Sequence, residues 1–139
     1  MQKETSIIHA FRLQPGQDLR KEIETYTQQK RIQAGWIITC VGSLTQAQLR
    51  YANQVEDTTL PGPFEIVSLA GTIGIGGVHL HLSISNSKGD TIGGHLLIGC
   101  LIYTTAEIII GESTNLRFTR EQDGSTPWKE LQIIHTPGP

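Results

Sequence analysis

From Val78 to Ser85 the chain runs Val-His-Leu-His-Leu-Ser-Ile-Ser, an alternation that puts His79, His81, Ser83 and Ser85 on one face of a strand and four apolar residues on the other. Residues two apart on a strand lie roughly 6.5–7 Å apart along its axis, a spacing from which two imidazoles can converge on one ion. A third histidine, His95, follows Gly93-Gly94 on the return strand, and hairpin register decides whether it joins the pair. Ser87-Lys88-Gly89 fits a three-residue loop, a type I turn closed by a left-handed residue, with glycine at the place that needs it. Asn86 then pairs with Asp90, and His81 faces His95. A two-residue loop at Lys88-Gly89 would instead set His95 opposite Leu82, on the wrong face, unless a bulge at Gly93-Gly94 restored the alignment. Three neutral imidazoles leave an open position on Zn²⁺ for water or a ligand, the arrangement of catalytic sites more than of closed structural ones. Imidazole also suits nickel, copper and iron, so donor type alone does not choose the metal. The competing reading is a cluster that only hydrogen-bonds with itself, the serines and water. His9 and His135 lack any such pattern of partners.

Several elements must position these rings. Residues 5 to 13 mix β-branched and apolar residues and end at Pro15-Gly16, which predicts an opening strand and a turn. Asp18 is placed to cap a helix whose Leu19, Ile23 and Tyr26 share one face, with Gly35 as a stop signal. The apolar run Trp36 to Val41 predicts a central strand covered on both faces. A second strand at 44 to 52 suggests a hairpin with Gly42-Ser43 at its turn, followed by a loop through Pro61-Gly62-Pro63. Phe64 to Ala70, 78 to 86 and 94 to 111 are further strand candidates, and 116 to 120 with 131 to 135 form two short closing strands around a turn at Asp123-Gly124. Gly74-Ile75-Gly76-Gly77 leads into a strand and not a helix, so it marks a bend or a close backbone approach more naturally than a phosphate loop.

With 139 residues the chain suits one domain, 1–139, with a loose tail at 136–139. A formal charge of −2, with eleven Lys and Arg scattered along the chain, offers no obvious footprint for neutralising phosphates; Arg20-Lys21 and Lys30-Arg31 fall on the expected helix as a solvated face. No apolar stretch approaches the roughly 20 residues of a membrane span, and the start, MQKETSIIHAF, lacks the build of a signal peptide, so the expected location is the cytoplasm. Cys40 and Cys100 sit in apolar runs without metal or redox spacing and are expected as buried thiols.

HLHLS at 79 to 83, GDTIGGHLLIGC at 89 to 100 and TAEIIIG at 105 to 111 resemble the prokaryotic branch of the PPC family, plants and prokaryotes conserved. PGQDL at 15 to 19, the glycine-serine pair, QLR at 48 to 50 and FEIVSLAGTI at 64 to 73 agree in order, so the likeness covers nearly the whole chain. The resemblance implies an α+β fold, a mainly antiparallel sheet of about seven strands with one main helix packed on it, assembled as a homotrimer. The run Leu96 to Ile110 supplies candidates for the trimer face. In plants the domain follows an Arg-Gly-Arg-Pro hook that enters the minor groove; this sequence has no such hook, so a DNA-binding role would rest on analogy. The plant domains also lack the histidines of HLH and GGH, whereas His79, His81 and His95 match the prokaryotic pattern, which supports their assignment as metal ligands. Glu65 and Arg50 match polar positions shared with plant members, as an ion pair supporting the trimer or as functional groups. Glu65 alternates with Val67 and Leu69 and is expected to face inward, as a catalytic base or an outer group beside the metal; Glu107 poses the same question. The expectation is a homotrimer with a divalent ion, zinc, on three histidines, its activity open. A DNA-associated regulatory or interaction module is the alternative, and a small-molecule sensor at the subunit interface a third.

Overall fold

Outside one helix, the alternation of apolar and polar residues is that of strands, and strands account for most of the chain. A computed structural model describes residues 4–137. In chain order these form β1 (Ser6–Leu13), α1 (Leu19–Gln29), β2 (Ala34–Arg50), β3 (Thr58–Gly74), β4 (Gly77–Ser85), β5 (Thr91–Leu96), β6 (Leu101–Ser113), β7 (Leu116–Glu121) and β8 (Glu130–His135). Six strands make one antiparallel sheet in the order β1-β6-β2-β3-β4-β5, and β7 with β8 makes a separate hairpin. The α+β expectation stands, with eight strands among the described residues where about seven were expected. No helix among these residues is long and apolar enough to cross a membrane.

The length of β2 organises the sheet. Along one edge it pairs first with β6, from Gly35 to Gln46, and then with β5, through Leu49↔Leu96 and Arg50↔His95. Since β2 also pairs with β3, β3 with β4 and β4 with β5, four strands close into a ring. Leu44 and Leu49 of β2, Leu80, Leu82 and Ile84 of β4, and Ile108 and Ile110 of β6 fill its apolar side. The helix covers this core with Leu19 and Ile23, each contributing roughly 1.5–3 kcal/mol on full burial. Asp18 caps α1 by accepting from the Lys21 N–H at 3.0 Å, and its other oxygen accepts from Gly99 N–H at 2.6 Å, which ties the helix start to the β5–β6 connection.

Several expectations fail for identifiable reasons. Gly42-Ser43 is not a turn: β2 runs straight through it, and register shifts near Leu44 bend the strand instead. The helix ends at Gln29, six residues before Gly35, because Arg31 adopts the left-handed conformation (φ 55°) that stops it. Pro61 to Pro63 lie inside β3, at the shift between Leu44 and Gln46 where the ladder is interrupted and a missing N–H costs little. The long strand expected at 94 to 111 is broken between Leu96 and Leu101 because its two halves pair along successive stretches of β2. Thr136 donates its N–H to Asn115 O at 2.8 Å, so the tail expected loose from 136 begins anchored; its last two residues, 138 and 139, lie outside the described residues. The strand expected to be covered on both faces has one face open, with Ile38 49% and Val41 56% exposed.

The glycines at 74 to 77 do mark a close approach. β7 crosses the β3–β4 turn, Ile75 donates its N–H to Phe118 O at 3.0 Å, and a Cβ on Gly74 would stand 2.6 Å from that same oxygen. Gly74→Ala is therefore expected to lower stability by about 1–3 kcal/mol in denaturant unfolding, against under ~0.5 kcal/mol for Lys88→Ala in the exposed hairpin loop.

Candidate metal centre

The β4–β5 hairpin has the register that a three-residue loop dictates. Gly89 is left-handed (φ 81°), the Asn86 N–H donates to Asp90 O at 3.0 Å, and His81 stands directly opposite His95. On the other edge of β4, His79 and His81 pair with Thr72 and Ala70 of β3. All three rings project from the face opposite the core. Their centroids are 5.0 Å (79–81), 5.6 Å (79–95) and 4.6 Å (81–95) apart, and one ring nitrogen from each lies within 4.8 Å of the others. These three histidines could hold a metal ion. Tetrahedral zinc with Zn–N bonds of about 2.0–2.1 Å needs nitrogens closer than that, a gap that rotation of the exposed His79 and His81 rings is able to close.

The electrostatics favour neutral rings at His79 and His95, the form that ligates. Burial, then Arg120, His81 and His95, hold His79 below the usual histidine range, with Glu130 acting the other way. Burial, then His81, Arg50 and Arg20, do the same for His95. Arg50 is the cross-strand partner of His95, and Arg20 reaches from α1 to donate to Leu96 O at 2.7 Å while paired with Glu24. Arg120 of β7 donates from Nη2 to Thr72 Oγ1 at 2.9 Å and lies 3.5 Å from His79 Nδ1. No local motif marks Arg120, which lies 48 positions from Thr72 and 41 from His79 along the chain.

Glu65 does not join the centre. It is exposed, with Phe64 and Ile66 turned into the core in its place, because the shift between Ile66 and Ser68 separates its phase from that of Leu69. It pairs with Ser85, four residues beyond His81, so roughly 13 Å of strand lies between them, and no ion pair joins it to Arg50 among the described residues. Glu107 is likewise exposed. His9, which seemed partnerless in the sequence, links three elements: its Nδ1 is 3.0 Å from the Tyr26 hydroxyl and its Nε2 is 2.8 Å from Glu112. Cys40 and Cys100 are buried free thiols, pushed up to about 12 and about 11 chiefly by burial.

Because His79 and His95 titrate below the ordinary histidine value, the unfolded chain takes up protons first as pH falls, and stability is lost below about 6.5 and held above it. The metal-free protein should melt at a lower temperature at pH 5 than at pH 7.5, and the difference should shrink in the His79→Asn, His95→Asn double variant.

The likenesses to known proteins follow this geometry. The chain is 48% identical over 126 residues to a Bifunctional protein GlmU of Synechococcus sp. (strain JA-3-3Ab), covering 91% of this chain but only 20% of that relative's length. A hypothetical protein from Salmonella superposes with a TM-score of 0.93 at 41% identity, over 96% of this chain and 97% of the other. A metal-containing protein from Archaeoglobus fulgidus shares the fold at a TM-score of 0.80 and 24% identity, over 95% and 99% of the two chains. Two neighbours at 21% and 19% identity, whose own DNA-binding descriptions are provisional, likewise share the fold. The family model of the Plants and Prokaryotes Conserved (PCC) domain matches residues 2–114, from before β1 to just past β6. The hairpin that places His81 opposite His95 lies within that span, and on the strength of the match this chain belongs to the Plants and Prokaryotes Conserved domain family.

Proposed function

We propose that the chain is a metal-binding domain in which His79, His81 and His95 hold one divalent ion, with zinc the first candidate, within a homotrimer. The observation that carries this reading is the approach of three ring nitrogens to within 4.8 Å on one exposed face. The metal-containing description of the Archaeoglobus fulgidus neighbour, which has the same fold, agrees with it. When bound, the ion would supply a Lewis-acid centre with an open position. The chain's own part is to align the three imidazoles, to favour the neutral form of His79 and His95, and to bring Arg120 near His79 and Arg50 and Arg20 near His95. Glu65 has no part in this reading. Association is supported by apolar side chains left open on three neighbouring strands: Ile38 and Val41 of β2, Val67 of β3 and Tyr103 of β6.

The alternative is a DNA-associated module, supported by the descriptions of two fold neighbours and opposed by a formal charge of −2. Elemental analysis of the purified protein decides the first reading: about one zinc per chain is expected, and His81→Ala should weaken zinc binding by at least ~100-fold, beyond the ~10–100-fold that outer partners of a ligand command. Zinc content unchanged by His81→Ala would refute the site. Tight duplex binding that falls steeply with salt would favour the DNA reading instead.

A further inference from the structure

We propose that Arg120 anchors a small carboxylate ligand at the open position of the metal held by the three histidines; the inference rests on the metal reading above. Its starting point is the contact between the guanidinium and His79. Arg120 Nη2 donates to Thr72 Oγ1 at 2.9 Å and stands 3.5 Å from His79 Nδ1. That second contact needs a lone pair on Nδ1, which a neutral ring offers only when its proton is on Nε2. A metal-ligating neutral imidazole has no lone pair to spare, since one nitrogen holds the ion and the other carries the proton. Metal loading therefore ends the Arg120–His79 contact and leaves charged N–H donors beside the centre with no acceptor on that ring.

The surroundings set the sign and size of what fills the gap. A divalent ion on three neutral rings keeps its full positive charge, and the fields of Arg120, Arg50 and Arg20 add to it; Glu130 is the carboxylate that acts on His79 in the other direction, and its own Oε2 accepts from Thr126 at 3.0 Å. A hollow of about 160 Å³ lies against two of the three rings, lined by Ala70, Gly71, Thr72, His79 and His81. It admits a ligand of a few heavy atoms. Ala70 and Gly71 offer an apolar wall to a short carbon substituent, and a guanidinium fork matches the two oxygens of a carboxylate. The placement of Arg120 is built into the backbone: Gly76 lets β7 pack so closely that an added Cβ would be 3.2 Å from Arg120 Cβ and Cγ.

The test uses the intact protein loaded with cobalt(II) and titrated with acetate, or separately with inorganic phosphate, while the visible absorption of cobalt is followed. Acetate should shift the spectrum saturably. Arg120→Met should weaken acetate binding at least ~10-fold and Arg120→Lys by less, with Arg12→Met, remote from the rings, unchanged. Cobalt is measured in every sample. Equal acetate affinity in wild type and Arg120→Met at equal cobalt content overturns the anchor, leaving Arg120 a tie between β7 and Thr72. Phosphate binding more tightly than acetate overturns the carboxylate assignment. Should Arg120→Met fail to fold, Arg120→Lys must itself bind acetate more weakly than wild type, or the proposal fails. A wild-type chain that takes up no cobalt refutes the metal reading, whereas one that binds cobalt but is indifferent to Arg120 refutes only this one.

Discussion

The register of one hairpin is the constraint on which the site depends. Strand side chains alternate faces, so a slip of one residue between β4 and β5 would turn His95 toward the core and bring an apolar neighbour out beside His81. The loop resists this locally: Gly89 takes a conformation costly for other residues, and the Asn86 carboxamide oxygen accepts from the N–H groups of Lys88 and Asp90 at 2.9 and 3.0 Å. The core resists it globally, because Leu82, Ile84 and Leu96 are buried on the opposite face and each contributes roughly 1.5–3 kcal/mol there. Pairing of β5 with β2 holds the strand along its second edge as well.

With the rings so aligned, charge does the rest. Two of the three histidines are biased toward neutrality, by partial burial first and then by one another and by arginines from β2, β7 and α1. A patch of this kind disfavours its own protonation and keeps lone pairs available. The same arginines give the patch a positive field that favours anions in its neighbourhood.

The part of the site governed by local rules could be read in the sequence. Alternation assigned His79 and His81 to one face, and loop chemistry around Gly89 put His95 opposite His81, both as found. The close-approach reading of Gly74 and Gly76 was also sound, but only the packing of β7 reveals what approaches. Long-range geometry was out of reach. Nothing near Gly42 announces that β2 continues through it, and the phase of Glu65 depends on a bulge two residues on that periodicity alone does not reveal. His9 finds Glu112 only because β1 lies beside β6, and Arg120 finds Thr72 only because the terminal hairpin folds over a turn forty residues earlier.

The family match ends at residue 114, whereas β7 begins at Leu116. The three-histidine hairpin lies within that span and Arg120 beyond it, yet fold neighbours that match 96% and 95% of this chain extend over the terminal strands as well. Because β7 and β8 form a ribbon of their own, which among the described residues joins no ladder of the main sheet, substitutions on it can reshape the lip of the bowl while the β4–β5 register beneath stays fixed.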